Sequence, residues 1–270
     1  MRARRADGRP AIVAVPDATP LPAAPEPGPR FGTAYFGVRD LDLAAADLEQ
    51  IAGEGFSWVL FPFTHDDATW EQRTFGALVA AARTLGLETA ISPWGGKHFG
   101  GEGVETDLPV SEWLERARST GADVLHVDEP KLRQLTLEQL IDMWGDDERL
   151  WLTMQPDRAA ELGRAVVDRV AVLGTDAYDG DVAERVAATT AFASATGRLD
   201  LAWVQAYRIA AGDEPMVGDA VSAMAELAPL VGVWAWKGST GRGALRSDDP
   251  NAVQAEVARA IAKVRLTEAA

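Results

Sequence analysis

The sequence predicts a single (β/α)8 TIM barrel over residues 31–270, preceded by a flexible Ala/Pro-rich tail over residues 1–30. Three observations predict it. Short apolar runs alternate with longer stretches of helical period, eight times in about 235 residues, and a period of about 29 residues suits this barrel. Several of the runs are continuously apolar, as expected of parallel strands covered on both faces. The run Val124–Val127 leads into Asp128-Glu129-Pro130. Adjacent carboxylates at the end of a buried strand are costly unless paired, solvated or used, and the C-terminal strand ends are where such barrels carry their sites.

Strands are expected over Thr33–Val38, Ser57–Phe61, Glu88–Ser92, Asp123–Val127, Leu150–Met154, Val170–Gly174, Leu201–Ala206 and Val231–Trp236. The segments between them carry helical spacing: Ala44, Leu48, Ile51 and Ala52, then Phe75, Leu78, Val79 and Ala82, and at the end Val253, Val257, Ile261 and Val264. Thr136-Leu-Glu-Gln139 reads as a capping box. Asp249-Pro250 reads as an N-cap followed by proline at the first helical position. Gly86, Gly121, Gly145 and Gly197 read as helix stops. The fifth unit leaves only about ten residues for its helix, short against the spacing of the others. A doubly wound open sheet would show a Gly-rich turn after its first strand, and Gly37-Val38-Arg39-Asp40 is no such turn.

Composition excludes several classes. The formal net charge of −15 argues against a nucleic-acid or anionic-membrane surface. No apolar run reaches the length of a membrane span. Cysteine is absent, which removes disulfides, thiolate zinc sites and a cysteine nucleophile. The start Met1-Arg-Ala-Arg-Arg5 resembles the basic end of a signal peptide, but Ala11–Val15 is too short for its apolar core. Pro16, Pro20, Pro22, Pro25, Pro27 and Pro29 preclude helix and sheet. A cytoplasmic protein with a small-molecule or carbohydrate substrate, and with neither nucleic acid nor membrane as partner, is expected.

Residues just past each strand form one ring. The three histidines of the chain fall on three consecutive strand ends: His65, His98 and His126. The third connection, Ser92-Pro-Trp-Gly-Gly-Lys-His-Phe-Gly-Gly-Glu102, is glycine-rich and carries Trp94, Lys97 and His98, the composition of a binding loop. The sixth strand exits into Asp176-Ala-Tyr178-Asp179, the seventh contributes Gln205 and Tyr207, and the eighth Trp236 and Lys237. Of nine tryptophans, Trp58, Trp113, Trp144 and Trp151 sit at core or helix positions and Trp234 suits the core. Trp94 and Trp236 fall at strand ends, where an indole face can stack on a sugar ring.

Asp128-Glu129-Pro130 resembles the Asn-Glu-Pro of clan A retaining glycosidases, whose glutamate is the acid/base. The adjacent Asp-Glu also resembles chitinases and N-acetylhexosaminidases of families 18 and 20, in which the substrate's acetamido group is the nucleophile. Ala177-Tyr178-Asp179 is similar to the Met-x-Tyr-Asp segment of the chitinases, and Trp236 to their floor tryptophan. The resemblance implies a glycoside hydrolase with Glu129 as general acid/base, Asp128 orienting it or stabilising charge, and Asp176 or Asp179 as second carboxylate. Tyr178, Gln205 and Tyr207 would hold hydroxyls or an acetamido group. Two departures stand out. Gln205 occupies the place of the clan A nucleophile, and the full chitinase Asp-x-x-Asp-x-Asp-x-Glu pattern is absent.

Three other readings remain open. His65, His126, Asp128, Glu129 and Asp176 are ligand types that suit a divalent metal, so a metal-dependent isomerase or lyase is one; the glycosidase reading needs no cofactor. Lys237, with Gly238-Ser-Thr-Gly-Arg-Gly243, could bind a sugar phosphate through Arg242 and backbone N–H groups. Gln205 also allows a catalytically inactive carbohydrate-binding barrel.

Overall fold

The computed structural model describes residues 28–36, 41–64, 71–94, 99, 108–131, 136–145, 149–236 and 248–268. The tail expected over residues 1–30 therefore lies, as far as residue 27, outside the described residues. Eight strands form a closed parallel barrel in chain order: β1 (Arg30–Ala34), β2 (Trp58–Phe63), β3 (Glu88–Pro93), β4 (Val124–Asp128), β5 (Leu150–Met154), β6 (Val172–Thr175), β7 (Leu201–Gln205) and β8 (Leu230–Trp234). The barrel closes through β1 and β8, with Arg30 beside Leu230 and Thr33 beside Val233. The helices are α1 (Leu41–Gly53), α2 (Glu71–Thr84), α3 (Val110–Ser119), α4 (Leu137–Trp144), α5 (Arg164–Arg169), α6 (Val182–Thr196), α7 (Glu214–Ala225) and α8 (Pro250–Glu268). The short fifth unit holds a 3-10 turn, Pro156–Glu161, and then the six-residue α5.

The capping signals act as read. Thr136 and Gln139 form the reciprocal capping box of α4, and Asp249 accepts from the N–H groups of Asn251 and Ala252 at the start of α8. Only β5 keeps both expected ends; most of the other strands shift by one or two residues, and the shifts of β1 and β8 bear on the site. β1 begins at Arg30, inside the expected tail, and ends at Ala34. β8 stops at Trp234 rather than Trp236.

Strand alternation divides the apolar residues into two cores. Val59, Phe61, Leu125, Val127, Leu152, Leu173, Val204 and Val233 face the helices. Trp58, Leu60, Val124, Trp151, Leu201, Trp203 and Trp234 fill the barrel. The inner tryptophans form a column that climbs from floor to mouth. Trp58 meets Trp151 edge-on at 5.2 Å and Trp203 at 5.4 Å; Trp203 meets Trp234 at 5.2 Å, and Trp234 meets Trp94 at 5.8 Å. Edge-to-face contacts of this kind are favourable beyond the area they bury. Glycines make room for them. A Cβ on Gly32 would sit 1.8 Å from the Trp58 ring, and one on Gly232 would sit 2.3 Å from Trp203. At the floor, buried Glu88 is gripped by Arg30 at 2.7 Å and by Arg149.

Candidate active site

The same alternation builds the mouth. On β4 the inward row is Val124, His126 and Asp128; on β6 it is Val172 and Gly174, continuing into Asp176 just past the strand; on β7 it is Leu201, Trp203 and Gln205. Asp128, Asp176 and Gln205 thus converge, each partly buried. Parity alone would send Glu129 outward. Its backbone instead takes φ +36°, a left-handed conformation uncommon for any residue but glycine, and its N–H donates to Thr153 O at 3.0 Å. In that turn the Glu129 carboxyl lies beside Asp176, close enough to act on its ionisation.

Asp176 Oδ1 is buried and receives no hydrogen bond. Burial, then the charges of Asp128 and Glu129 and the hydrogen bond to Glu129, push the Asp176 carboxyl well above the usual carboxylate range. Burial and the Glu129 charge push Asp128 up to about 8. Protons here belong to the cluster rather than to one residue. Tyr178 and Tyr207 pack edge-on at 6.1 Å beside it. Burial and the neighbouring carboxylates hold both phenols above their ordinary value, so they remain O–H donors at neutral pH.

His126 corrects an expectation. It lies wholly inside the barrel, 0% exposed, so it offers no surface to a substrate. Its Nε2 is 2.9 Å from Thr153 Oγ1 and its Nδ1 is 3.3 Å from Ser92 Oγ, while Trp203 Nε1 donates to the same Thr153 oxygen at 3.0 Å. Thr153 has one proton to give. The bonds close when Thr153 donates to Nε2 and Nδ1–H donates to Ser92. Burial pulls the His126 pKa down to about 3, and the neutral ring supports the layer beneath the cluster.

Trp236 is a second correction. It is 1% exposed and packs edge-on against Phe56 at 5.8 Å, in the layer between sheet and helices. β8 ends two residues earlier, so the inward alternation no longer governs position 236. Trp234, 6% exposed, takes the place at the mouth. With Phe36 it forms an aromatic wall with Trp94: Phe36 lies 4.5 Å from Trp94 and 5.6 Å from Trp234. The Trp234–Ala235 peptide is cis. Asp179 is exposed at the rim rather than inside the cluster. His65, Lys97, His98 and Lys237, with Arg242 and the Gly238–Gly243 loop, lie outside the described residues.

Arg185 on α6 was not anticipated. It is 5% exposed; its Nε donates to Gly180 O at 3.1 Å and its Nη2 to Gln205 Oε1 at 3.5 Å. Gln205 in turn donates to Tyr207 O at 3.1 Å. The available signal was a cation in the second turn of a helix whose positive dipole end disfavours it. Arg158, described below, had no signal in its own segment. Among the described residues no group of three or more His, Asp or Glu side chains is arranged to hold a metal ion, and no helix is long and apolar enough to cross a membrane.

Comparison with known proteins extends the fold. No family model matches the chain, and no curated protein sequence matches it. Solved structures match over most of the length. GH5_18 from Streptomyces cattleya, in complex with Manβ1-4GlcNAc, has a TM-score of 0.62 at 17% identity, covering 88% of this chain and 81% of that one. A truncated 3-deoxy-D-arabino-heptulosonate 7-phosphate synthase from Thermotoga maritima has a TM-score of 0.57 at 11% identity, covering 89% and 87%. The tryptophan synthase α subunit of Legionella pneumophila has a TM-score of 0.54 at 13% identity, covering 87% and 94%. At these identities the likeness is one of fold. The neighbours are a glycoside hydrolase and synthases alike, and the TIM barrel is what they share.

Proposed function

We propose that the protein is a glycoside hydrolase-type enzyme acting on a sugar or sugar-like substrate, with Glu129 as general acid/base. The observation that carries this reading is the cluster of Asp128, Glu129 and Asp176 at the barrel mouth, in which burial and mutual charge hold the Asp128 and Asp176 carboxyls well above the usual carboxylate range. A carboxyl group kept protonated near neutral pH is what a general acid needs. In the proposed step, Glu129 passes a proton to the leaving-group oxygen as the glycosidic C–O bond breaks, and Asp176 and Asp128 replenish it. A nucleophilic oxygen then forms the new bond at the anomeric carbon.

Asp176 interacts directly with Glu129, so in this reading the two act as one proton-donating group rather than as the separated pair, about 5 Å or about 6.5–9.5 Å apart, that double displacement or inversion uses. Gln205 supplies no carboxylate on β7. These two facts favour a nucleophile from water or from the substrate's own acetamido group, activated by the cluster. Tyr178 and Tyr207 would donate to the substrate, and the wall of Trp94, Phe36 and Trp234 would receive the apolar face of the ring.

The test is turnover of a panel of glycosides, with and without N-acetyl groups and with and without chelator, by the wild type and by Glu129→Gln. The substitution is expected to lower kcat about 10²–10⁴-fold, most on poor leaving groups, which need the proton most. Absence of turnover on every substrate, or turnover indifferent to Glu129→Gln, overturns the reading. Sugar binding without turnover, lost on Trp234→Ala, would favour an inactive binding barrel; activity abolished by chelator would favour the metal-dependent reading.

A further inference from the structure

The left-handed turn at Glu129 is gripped from two sides by one neighbouring β/α unit. Upstream, Thr153 on β5 accepts the Glu129 N–H at 3.0 Å. Downstream, the next residue is Pro130, whose nitrogen carries no hydrogen. The turn therefore has no N–H to offer at Pro130, and its anchor there is the Pro130 carbonyl, to which Arg158 Nη2 donates at 3.1 Å. Arg158 sits in the 3-10 turn that directly follows β5. Its own orientation is fixed by a fork onto Glu161, with Nε to Oε1 at 3.0 Å and Nη2 to Oε2 at 2.7 Å. Its cation also lies within electrostatic reach of Glu129.

A residue in a sparsely populated backbone region persists only where its surroundings over-determine it. Here the parity of β4 would aim Glu129 away from Asp176, and the two β5-derived contacts hold the turn that reverses this.

We propose that Arg158 is a positioning residue for Glu129, locking the Asp128-Glu129-Pro130 turn so that the Glu129 carboxyl meets Asp176. It acts through the Pro130 carbonyl and not on the substrate. A guanidinium is required because one planar group must serve the carbonyl and the Glu161 carboxylate together, which an ammonium cannot do in the same geometry.

The consequence for catalysis rests on the function proposed above; the structural claim does not. The test uses the full chain with Arg158→Met, Arg158→Lys and Glu161→Gln. On a glycoside that the wild type turns over, Arg158→Met lowers kcat about 10–100-fold, the scale of a roughly 1 Å misplacement, with KM within about twofold. Arg158→Lys recovers part of the loss, and Glu161→Gln gives a smaller loss of the same kind. In crystals of Arg158→Met, Glu129 leaves positive φ and separates from Asp176. Wild-type kcat in Arg158→Met, or a crystal structure of it with the Glu129 turn and the Asp176 contact intact, overturns the proposal. If the wild type turns over no glycoside, the function fails and the crystallographic arm alone decides the role of Arg158. Should Arg158→Met not fold, the same two readouts are taken from Arg158→Lys and Glu161→Gln.

Discussion

At the scale of single residues, Glu129 trades stability for position. A left-handed conformation costs an L-residue about 1–2 kcal/mol that glycine does not bear, and Glu129 adds a third carboxyl to a cluster already crowded with Asp128 and Asp176. Glu129→Gly is therefore expected to raise stability by about 1 kcal/mol, while removing the proposed acid. Urea denaturation at pH 7 checks it; a variant less stable than the wild type would mean that the Glu129 side chain stabilises the fold. The sequence named Asp128, Glu129 and Asp176 as candidates because charges at the ends of buried strands stand out. It did not foretell their contact. That goes with a φ angle which residue types on β4 do not encode and, on the role proposed for it, with Arg158, about thirty residues further on. Trp234 and Trp236 make the same point: two indoles two positions apart have identical local signals until the end of β8 is known.

At the scale of elements, β1 shows why a pattern of residue types fails locally. Arg30-Phe-Gly-Thr-Ala34 is preceded by prolines and carries a glycine, so it reads as the end of a tail and the strand is sought later. The glycine is the requirement. Gly32 lies beside Trp58 in the register of β1 on β2, with no space for a Cβ against the ring. Gly32→Ala must displace Trp58, and with it the column through Trp151 and Trp203. Such overpacking is expected to destabilise by about 1–3 kcal/mol or more. The measurement is the thermal midpoint together with near-ultraviolet circular dichroism, since the tryptophan contacts change as well. An unchanged spectrum with an unchanged midpoint would show that the column is loosely packed. The fifth unit was legible only in its length: the sequence leaves about ten residues for a helix, and the structure fills the connection with a 3-10 turn and the six residues of α5. The contact of Arg158 with Pro130 was not legible, because it joins this unit to a different one.

At the scale of the whole molecule, the cluster ties folding to pH. Asp128 ionises near 3.8 in the unfolded chain and near 8 in the folded one. Below about pH 4 both states hold the proton, and this group's stabilising contribution is fully present. Between about pH 4 and pH 8 the unfolded chain releases a proton that the native state retains, so native stability falls as pH rises, until the folded carboxyl also ionises. Asp128→Asn removes that dependence. Compared by urea denaturation at pH 5 and pH 8.5, it should gain on the wild type as pH rises. A stability difference between the two proteins that does not change with pH would contradict the shift. On the proposed function, activity should decline over the upper part of the same range, because the cluster loses the proton it donates.

What the sequence determined by itself is the periodic part. Eight alternations of buried strand and amphipathic helix, with their caps and stops, define a closed parallel barrel, because binary pattern and turn chemistry act over a few residues. It also placed Asp128, Glu129, Asp176, Tyr178, Gln205 and Tyr207 at the strand ends. Tertiary structure alone decided which of these cluster, that Trp234 rather than Trp236 walls the mouth, that His126 serves the core, and that Arg158 donates to Pro130 and Arg185 to Gln205. These outcomes depend on strand register, on one left-handed residue and on contacts between units far apart in the chain. Distances of that kind are set by closure of the barrel and carry no local signature.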